Sequence, residues 1–438
     1  MRPRSLPHVG SVHPSVPPKV TYVKKRLLVR PAALLPALAL TGCGLLPGQA
    51  EDTRTVTVWL MKGSASDAFL ERFTSTYERE NPGVRLEIVI QEWTGIGKKV
   101  STALAGETPP DIIEVGNTQV AQYAETDRLF DLTLESVRDL GHEEWLPGLA
   151  EPGSIDGSQY GIPWYAANRV VIYRKDLFAR AGIEEPPKTR EQWLEDTERI
   201  NRTGAEGIYL AGQDWYTLAG FVWDEGGELA EEKNGRWSGT LHTPAALRGM
   251  EFYKDLQSLG SGPKDSDEEN PPQTEVFAKG EVAQIIATPG AATAIKGLNP
   301  DLADELGFFP IPGKTADKPC AVFTGGSDLV IPVQAPERGA AIEVVKALAG
   351  EKWQTDLART MNYVPNKTTL AAAVEGQEGT AAMAVGAARG RATPNSARWA
   401  DVEADNPIKP YMTAVLQGRD AEAAALAASK RITEALGG

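Results

Sequence analysis

The stretch Asp156-Gly157-Ser158-Gln159-Tyr160-Gly161-Ile162-Pro163-Trp164-Tyr165-Ala166-Ala167-Asn168-Arg169-Val170-Val171-Ile172-Tyr173-Arg174-Lys175-Asp176, continuing to Ile183, decides how this chain is organised. It opens on Asp156-Gly157, a pair suited to tight hairpins because both residues tolerate positive φ. An aromatic, proline-restrained strand follows, Tyr160 to Tyr165. The apolar β-branched run Val170-Val171-Ile172-Tyr173 reads as a second, buried strand. A charged helix start at Lys175-Asp176 and a stop at Gly182 complete the unit. Between the strands, Trp164 to Arg169 reads as a short polar crossing with two aromatics, an amide and a guanidinium, the composition of a hinge with ligand groups attached.

The segments on either side decide what the crossing joins. Upstream, Thr55 to Leu60, Val84 to Ile90 and Asp111 to Val115 read as strands. They alternate with helices at Ser66–Asn81, where Phe69, Phe73 and Tyr77 recur every fourth residue, and at about Ile96–Ala105. Strand–helix alternation at this spacing predicts a right-handed parallel α/β sheet, with ligand groups at the strands' carboxyl ends. Those ends are Trp59–Gly63, Gln91–Trp93 and Gly116-Asn117-Thr118. Downstream a second α/β unit begins with the capping pattern Thr189-Arg190-Glu191-Gln192. It continues through the aromatic, Gly-rich run Asp214–Ala230 and a helix opened by Thr243-Pro244. Residues 260–273 read as a surface loop, ahead of a strand at Val282–Ala287. The chain returns at Phe308–Gly313, enters a strand flanked by Gly325-Gly326-Ser327 and Pro332, and crosses again at Met361–Asn366. The expectation is two α/β lobes: 54–164 with 323–361, and 168–309 with 365–438. Three crossings, near 163–168, 309–323 and 361–366, join them. Residues 371–393, rich in Ala and Gly, carry no readable element.

At 438 residues the chain exceeds one ordinary core. Its first 42 residues hold seven Lys/Arg and no Asp or Glu, and an apolar run from Leu27 to Leu40 follows Lys24-Lys25-Arg26. That run is too short and too interrupted, by Arg30 and Pro31, to span a bilayer. It reads as a secretory signal over residues 1–42. The terminal Leu40-Thr41-Gly42-Cys43 resembles a bacterial lipobox, which implies a diacylated Cys43 and a tether over 43–53. Without the signal the chain is seven charges more acidic than its formal −14. Such a surface disfavours nucleic acid. Only Cys320 then remains as a thiol, so no intrachain disulfide forms. His142 and His242 are the only histidines left, which argues against a His-built metal site, and no cofactor is implied.

Several motifs together resemble the extracellular solute-binding proteins of ABC sugar transporters. They are Thr57-Val58-Trp59 after the lipobox, Pro110-Asp111-Ile112-Ile113, Tyr160-Gly161-Ile162-Pro163-Trp164-Tyr165, Val171-Ile172-Tyr173-Arg174-Lys175-Asp176-Leu177, Lys279-Gly280-Glu281-Val282-Ala283 and Val364-Pro365-Asn366. Gly116-Asn117-Thr118, Asp214-Trp215-Tyr216 and Gly325-Gly326-Ser327-Asp328-Leu329 look most similar to the diacetylchitobiose-binding lipoproteins. Asn168 before Arg169, and the lack of a Trp after Thr288-Pro289, depart from other members. The resemblance implies a type II periplasmic-binding-protein-like fold with a ligand cleft between its lobes. It also implies a lipid-anchored monomer on the outer face of the cell membrane, serving permease subunits powered by a separate ATPase.

A sugar needs flat aromatics for its C–H faces and fixed donors and acceptors for its hydroxyl rim. The aromatic candidates are Trp164, Tyr165, Trp215, Trp399 and Trp93. The polar candidates are Asn117, Arg169, Asp214 and Ser327, with the Gly326 backbone. Each Trp is also an ordinary core residue, Arg169 also a candidate salt-bridge partner, and Gly325–Ser327 also a turn. Catalysis is not indicated: no Gly-x-Ser-x-Gly elbow exists, and Gly95-Ile96-Gly97-Lys98-Lys99 is not a phosphate loop. A surface glycan-modifying hydrolase and a binder of a non-sugar solute such as a polyamine remain as alternatives.

Overall fold

The computed structural model describes residues 53–93 and 95–437. The expected signal, Cys43 as the expected lipidation site, and most of the expected tether therefore lie outside the described residues. The chain opens with β1 (Arg54–Met61), β2 (Val84–Gln91) and β3 (Ile112–Gly116), and β1 pairs parallel with both others. The helix Asp67–Glu80 is started by Ser66, whose hydroxyl accepts from the Phe69 amide at 3.3 Å. Its four-residue stripe buries Phe69, Phe73 and Tyr77, with Trp353 set edge-on to Phe69 and Phe73 at 5.8 and 5.0 Å.

Asp156 and Gly157, at φ 51 and 83, form the expected turn, joining β4 (Ser154–Ile155) to β5 (Ser158–Gln159). Next come β6 (Gly161–Asn168), β7 (Val170–Arg174), the hairpin β8–β9 (Ala230–Lys233, Arg236–Gly239), β10 (Gln284–Ala287), β11 (Leu306–Phe309), β12 (Val322–Val330), β13 (Val364–Pro365) and β14 (Gly390–Arg391). The first sheet runs β13-β6-β12-β3-β1-β2, with β14 added to β12. It is mixed rather than all parallel, since β12 runs antiparallel to both β3 and β6. The second sheet is β10-β7-β11, antiparallel throughout.

The expected polar crossing at Trp164–Arg169 is corrected by this topology. Those residues stay in ladder pairing with β12 as far as Asn168, opposite Thr324. Arg169 alone separates a strand of one sheet from a strand of the other. The other two passages are 310–321, from β11 to β12, and the segment around β13. Asn366 ties the third passage to the first: its amide donates to Pro163 O (2.9 Å) and Ala349 O (3.1 Å). Its own backbone N–H donates to Gln354 Oε1 at 2.9 Å. The fold is thus two-lobed with three connections, as expected.

Gly325-Gly326-Ser327 lie within β12 rather than beside it, and the register slips between Ser327 and Asp328. A Cβ on Gly326 would sit 2.1 Å from Tyr165 O, so only glycine lets the two strands meet there. The unread region 371–393 contains the helix Glu378–Ala387, which packs against β6, β7 and β11. Gly379, Ala382, Gly386 and Ala387 are all buried there. Small residues permit that close approach and also erase the apolar periodicity by which a helix is read. We expect Gly326→Ala to destabilise the protein by about 2 kcal/mol, the scale of overpacking, in urea unfolding. Gly290→Ala, where an added Cβ meets nothing within 4 Å, is the control and leaves stability near wild type.

Candidate functional site

The carboxyl end of β1 turns at Gly63 (φ 86) into Ser64. Glu114, on β3 and wholly buried, holds this turn: Met61 N–H and Ser64 Oγ each donate to its carboxylate at 2.6 Å. Ser64 Oγ lies 3.1 Å from Tyr165 OH, and Ser327 Oγ donates to the same phenol at 3.2 Å. Burial raises Glu114 to about 7, against the lowering effect of these donors. Burial also pushes the Tyr165 phenol up, with Glu114 adding to it. The Tyr165 ring stacks on Tyr363 with centroids 4.2 Å apart, and Tyr363 OH donates to Gly63 O at 2.9 Å.

Alternation along β12 places Phe323, Gly325 and Ser327 on one face. Gly116, opposite Ser327 in the ladder, lies beside Trp93, which is 42% exposed. At the other end Phe323 stacks on Tyr216 at 4.3 Å, and Tyr216 leans on Trp215 at 4.0 Å. The Arg169 guanidinium lies 5.0 Å over the Tyr216 ring. It pairs with Asp214 (Nε to Oδ1, 3.3 Å) and with Glu268. Asp214 also caps the helix Trp215–Asp224, accepting from Thr217 N–H (3.2 Å) and Thr217 Oγ1 (2.6 Å). Burial lifts Asp214 to about 6, with Arg169 opposing.

The expected site residues therefore fall into three groups. Tyr165, Ser327, Gly326 and Trp93 gather along β6, β12 and the end of β2. Arg169, Asp214 and Trp215 gather at the helix start in the second lobe. The rest are turned elsewhere. Trp164 faces the first lobe's core and Trp399 the second's, both with no exposed surface. The Trp399 indole N–H donates to Glu403 at 2.9 Å. The Asn117 amide is spent on Thr324 O (3.0 Å), Gly148 O (3.4 Å) and the Thr118 N–H (3.0 Å). Tyr363, Tyr216 and Phe323 join these groups without standing out in the sequence, although Tyr363 lies in the third crossing and Tyr216 in the Asp-Trp-Tyr motif. Glu268 comes from the segment read as a surface loop. Its signal, one carboxylate among several there, has no specificity in sequence.

Together these groups form two aromatic ledges, Tyr363 on Tyr165 and Tyr216 on Phe323, joined by the strand that carries Gly325 and Gly326, with Trp93 beside Gly116. Asp214 and Glu268 are both committed to Arg169, and Glu114 is sealed beneath Tyr165. No group of three or more His, Cys, Asp or Glu able to hold a metal ion occurs among the described residues.

The family model for bacterial extracellular solute-binding proteins matches residues 61–355. The chain is 40% identical over 370 residues to the diacetylchitobiose binding protein DasA of Streptomyces coelicolor, covering 83% of this chain and 86% of that protein. Among solved structures it resembles the sugar-binding protein MalE of Xanthomonas citri, with a TM-score of 0.79 and 22% identity over 87% of this chain and 97% of that one. It also resembles the GacH receptor of Streptomyces glaucescens, with a TM-score of 0.71 and 24% identity over 88% and 99%. The two-lobed fold and the match over most of the sequence lead to one assignment: the chain belongs to the bacterial extracellular solute-binding proteins.

Proposed function

We propose that this protein captures N,N′-diacetylchitobiose or a longer N-acetylglucosamine oligomer and delivers it to the permease of an ABC importer with a separate ATPase. The 40% identity to a diacetylchitobiose binding protein carries this reading. The chemistry of the ledges supports it. Aromatic faces at Trp93, Tyr363 and Phe323 suit the apolar faces of pyranose rings, with Tyr216 stacked behind Phe323. The backbone at Gly325–Gly326 suits the hydroxyl and amide rim. Arg169 acts from behind, fixing Tyr216 through its ring contact while its charge is balanced by Asp214 and Glu268. Sugar bound across both ledges contacts both lobes, so it favours the closed arrangement by its differential affinity. No catalytic step belongs to this reading, because the carboxylates nearest the ledges are spent on Arg169 or sealed under Tyr165.

The protein acts as a monomer held to the outer face of the cell membrane by acyl chains on Cys43, since one lipid-modified terminus replaces a spanning segment. No described helix is long and apolar enough to cross a membrane.

Titration of the mature protein by calorimetry gives saturable heat with diacetylchitobiose and less or none with cellobiose, maltose, xylobiose or spermidine. Heat with spermidine alone would sink the sugar reading. Tyr363→Ala weakens diacetylchitobiose binding by ~2 kcal/mol, about thirtyfold, as expected for an aromatic anchor. Wild-type affinity in that variant would remove the first ledge from the site. In a bacterial host, Cys43→Ser releases the protein from the membrane fraction, and mass spectrometry of the wild type finds acylated Cys43 as the first residue. Retention of the unacylated variant on the membrane would refute the anchor.

A further inference from the structure

Glu114 has no surface of its own, yet four groups that shape the first ledge converge on it. From the end of β1, Met61 N–H and the Ser64 hydroxyl donate to separate carboxylate oxygens at 2.6 Å. From β6 comes the Tyr165 phenol, and from β12 the Ser327 hydroxyl behind it. No Lys, Arg, Asp or other Glu is among these groups. Lys62, the neighbouring cation, points outward to Glu92 at 2.8 Å. An ionised carboxylate only accepts hydrogen bonds, so it dictates the direction of the chain it ends. Ser64 donates to Glu114 and so leaves its oxygen to accept, the Tyr165 phenol turns its one proton toward Ser64 at 3.1 Å with the Glu114 oxygen at 3.5 Å behind, and Ser327 donates to Tyr165. The same turn carries Gly63, whose carbonyl holds the Tyr363 phenol at 2.9 Å. The Tyr363 ring is therefore set from both sides by one buried group, through the Tyr165 stack and through Gly63.

We propose that Glu114 is a positioning residue of the ligand site: its ionised carboxylate orients the Ser64–Tyr165–Ser327 hydroxyl chain and the Met61–Ser64 turn, and so sets Tyr363 against the sugar. This rests on the sugar-binding reading given above. A protonated Glu114 acts as donor to Ser64 and reverses the chain, while its other oxygen still accepts from Met61 N–H. With burial holding its pKa near 7, that reversal falls within the pH range in which an extracellular binder works. Because the folded pKa lies above the ordinary carboxyl value, the folded state holds this proton more tightly than the unfolded chain. The ligand-free protein accordingly loses stability as pH rises from the usual carboxyl range to about 7.

The test is the affinity for diacetylchitobiose, followed by calorimetry between about pH 5.5 and about pH 8.5, in wild type, Glu114→Gln and Tyr165→Phe. Wild type binds best above pH 7 and about tenfold more weakly at the acid end, a coupling of ordinary size. Glu114→Gln binds weakly at every pH, with a flat profile, and loses the fall in ligand-free stability between the same limits. Should Glu114→Gln fail to fold, Tyr165→Phe, which cuts the chain at its middle link and keeps the carboxyl, shows the flat profile instead. A folded Glu114→Gln with the wild-type profile, or a Tyr165→Phe that keeps the pH dependence, overturns the positioning role and leaves the sugar reading intact. Wild type that gives no heat with the sugar at any pH overturns the sugar reading, and this role falls with it.

Discussion

The antiparallel ladder between β6 and β12 is the constraint on which the rest of the arrangement depends. β6 is shared in a particular way: it ends at Asn168 as a strand of the first sheet, and after one residue the chain is already a strand of the second. β12 enters from the opposite side after the 310–321 passage. β13 lies on the other edge of β6, with Pro365 opposite Tyr165. All three passages therefore meet at one strand. A change in the angle between the sheets must be absorbed at Arg169, in 310–321 and around Asn366, because the ladders themselves are closed by hydrogen bonds whose loss in a buried place is costly.

Charge is distributed around this junction by two different rules. Where a cation is buried, carboxylates balance it: Arg169 has Asp214 and Glu268, and Arg190 has Asp224 at 2.9 Å and Glu225 at 3.1 Å. The second set also steadies the 310–321 passage, since Arg389 reaches both Asp224, at 2.8 Å, and the Pro319 carbonyl. Where a carboxyl is buried without a cation, it is pushed toward its neutral form. Glu114 offsets part of that cost with amide and hydroxyl donors. Asp328, one residue past the register slip, has no hydrogen-bond partner at either oxygen, and burial drives it well above the ordinary range. Adjacent residues of one strand thus serve different ends. Ser327 faces the hydroxyl chain, while Asp328 faces Gly161 and Gly153, where a Cβ would meet its carboxyl.

The sequence made the α/β units legible because their signals are local. The Phe69–Phe73–Tyr77 stripe, the Ser66 and Thr189 caps and the Asp156-Gly157 turn each depend on neighbours a few residues apart, and each stands where it was read. Pairing across long sequence separations was less legible. Nothing near Trp164 announces that its segment is held between β12 and β13. Read as an irregular crossing, the segment allows Trp164 and Tyr165 to face the same ligand. Read as a strand, it sends adjacent side chains to opposite faces, and Trp164 goes to the core. The Ala- and Gly-rich helix Glu378–Ala387 was illegible for a different reason: its packing relies on absent side chains, and absence has no period.

The same distinction explains why the aromatic ledges were only half seen. Composition identifies tryptophans as candidates for sugar faces, but a large ring is as valuable in a core as in a cleft. What separates the two is whether something smaller opens space beside the ring. Trp93 has Gly116 beside it, and Phe323 has Gly325 two residues on, in the same strand and on the same face. Trp399 is closed over in the second lobe. Tyr363 and Tyr216 gain their positions from polar tethers, through Gly63 O in one case and the Arg169 guanidinium in the other. A ring held by a hydrogen bond at its rim, as Tyr363 is, leaves its faces clear of the tether, whereas a ring packed on both faces does not. The ligand surface follows from the glycines and tethers around the aromatics more than from the aromatics themselves.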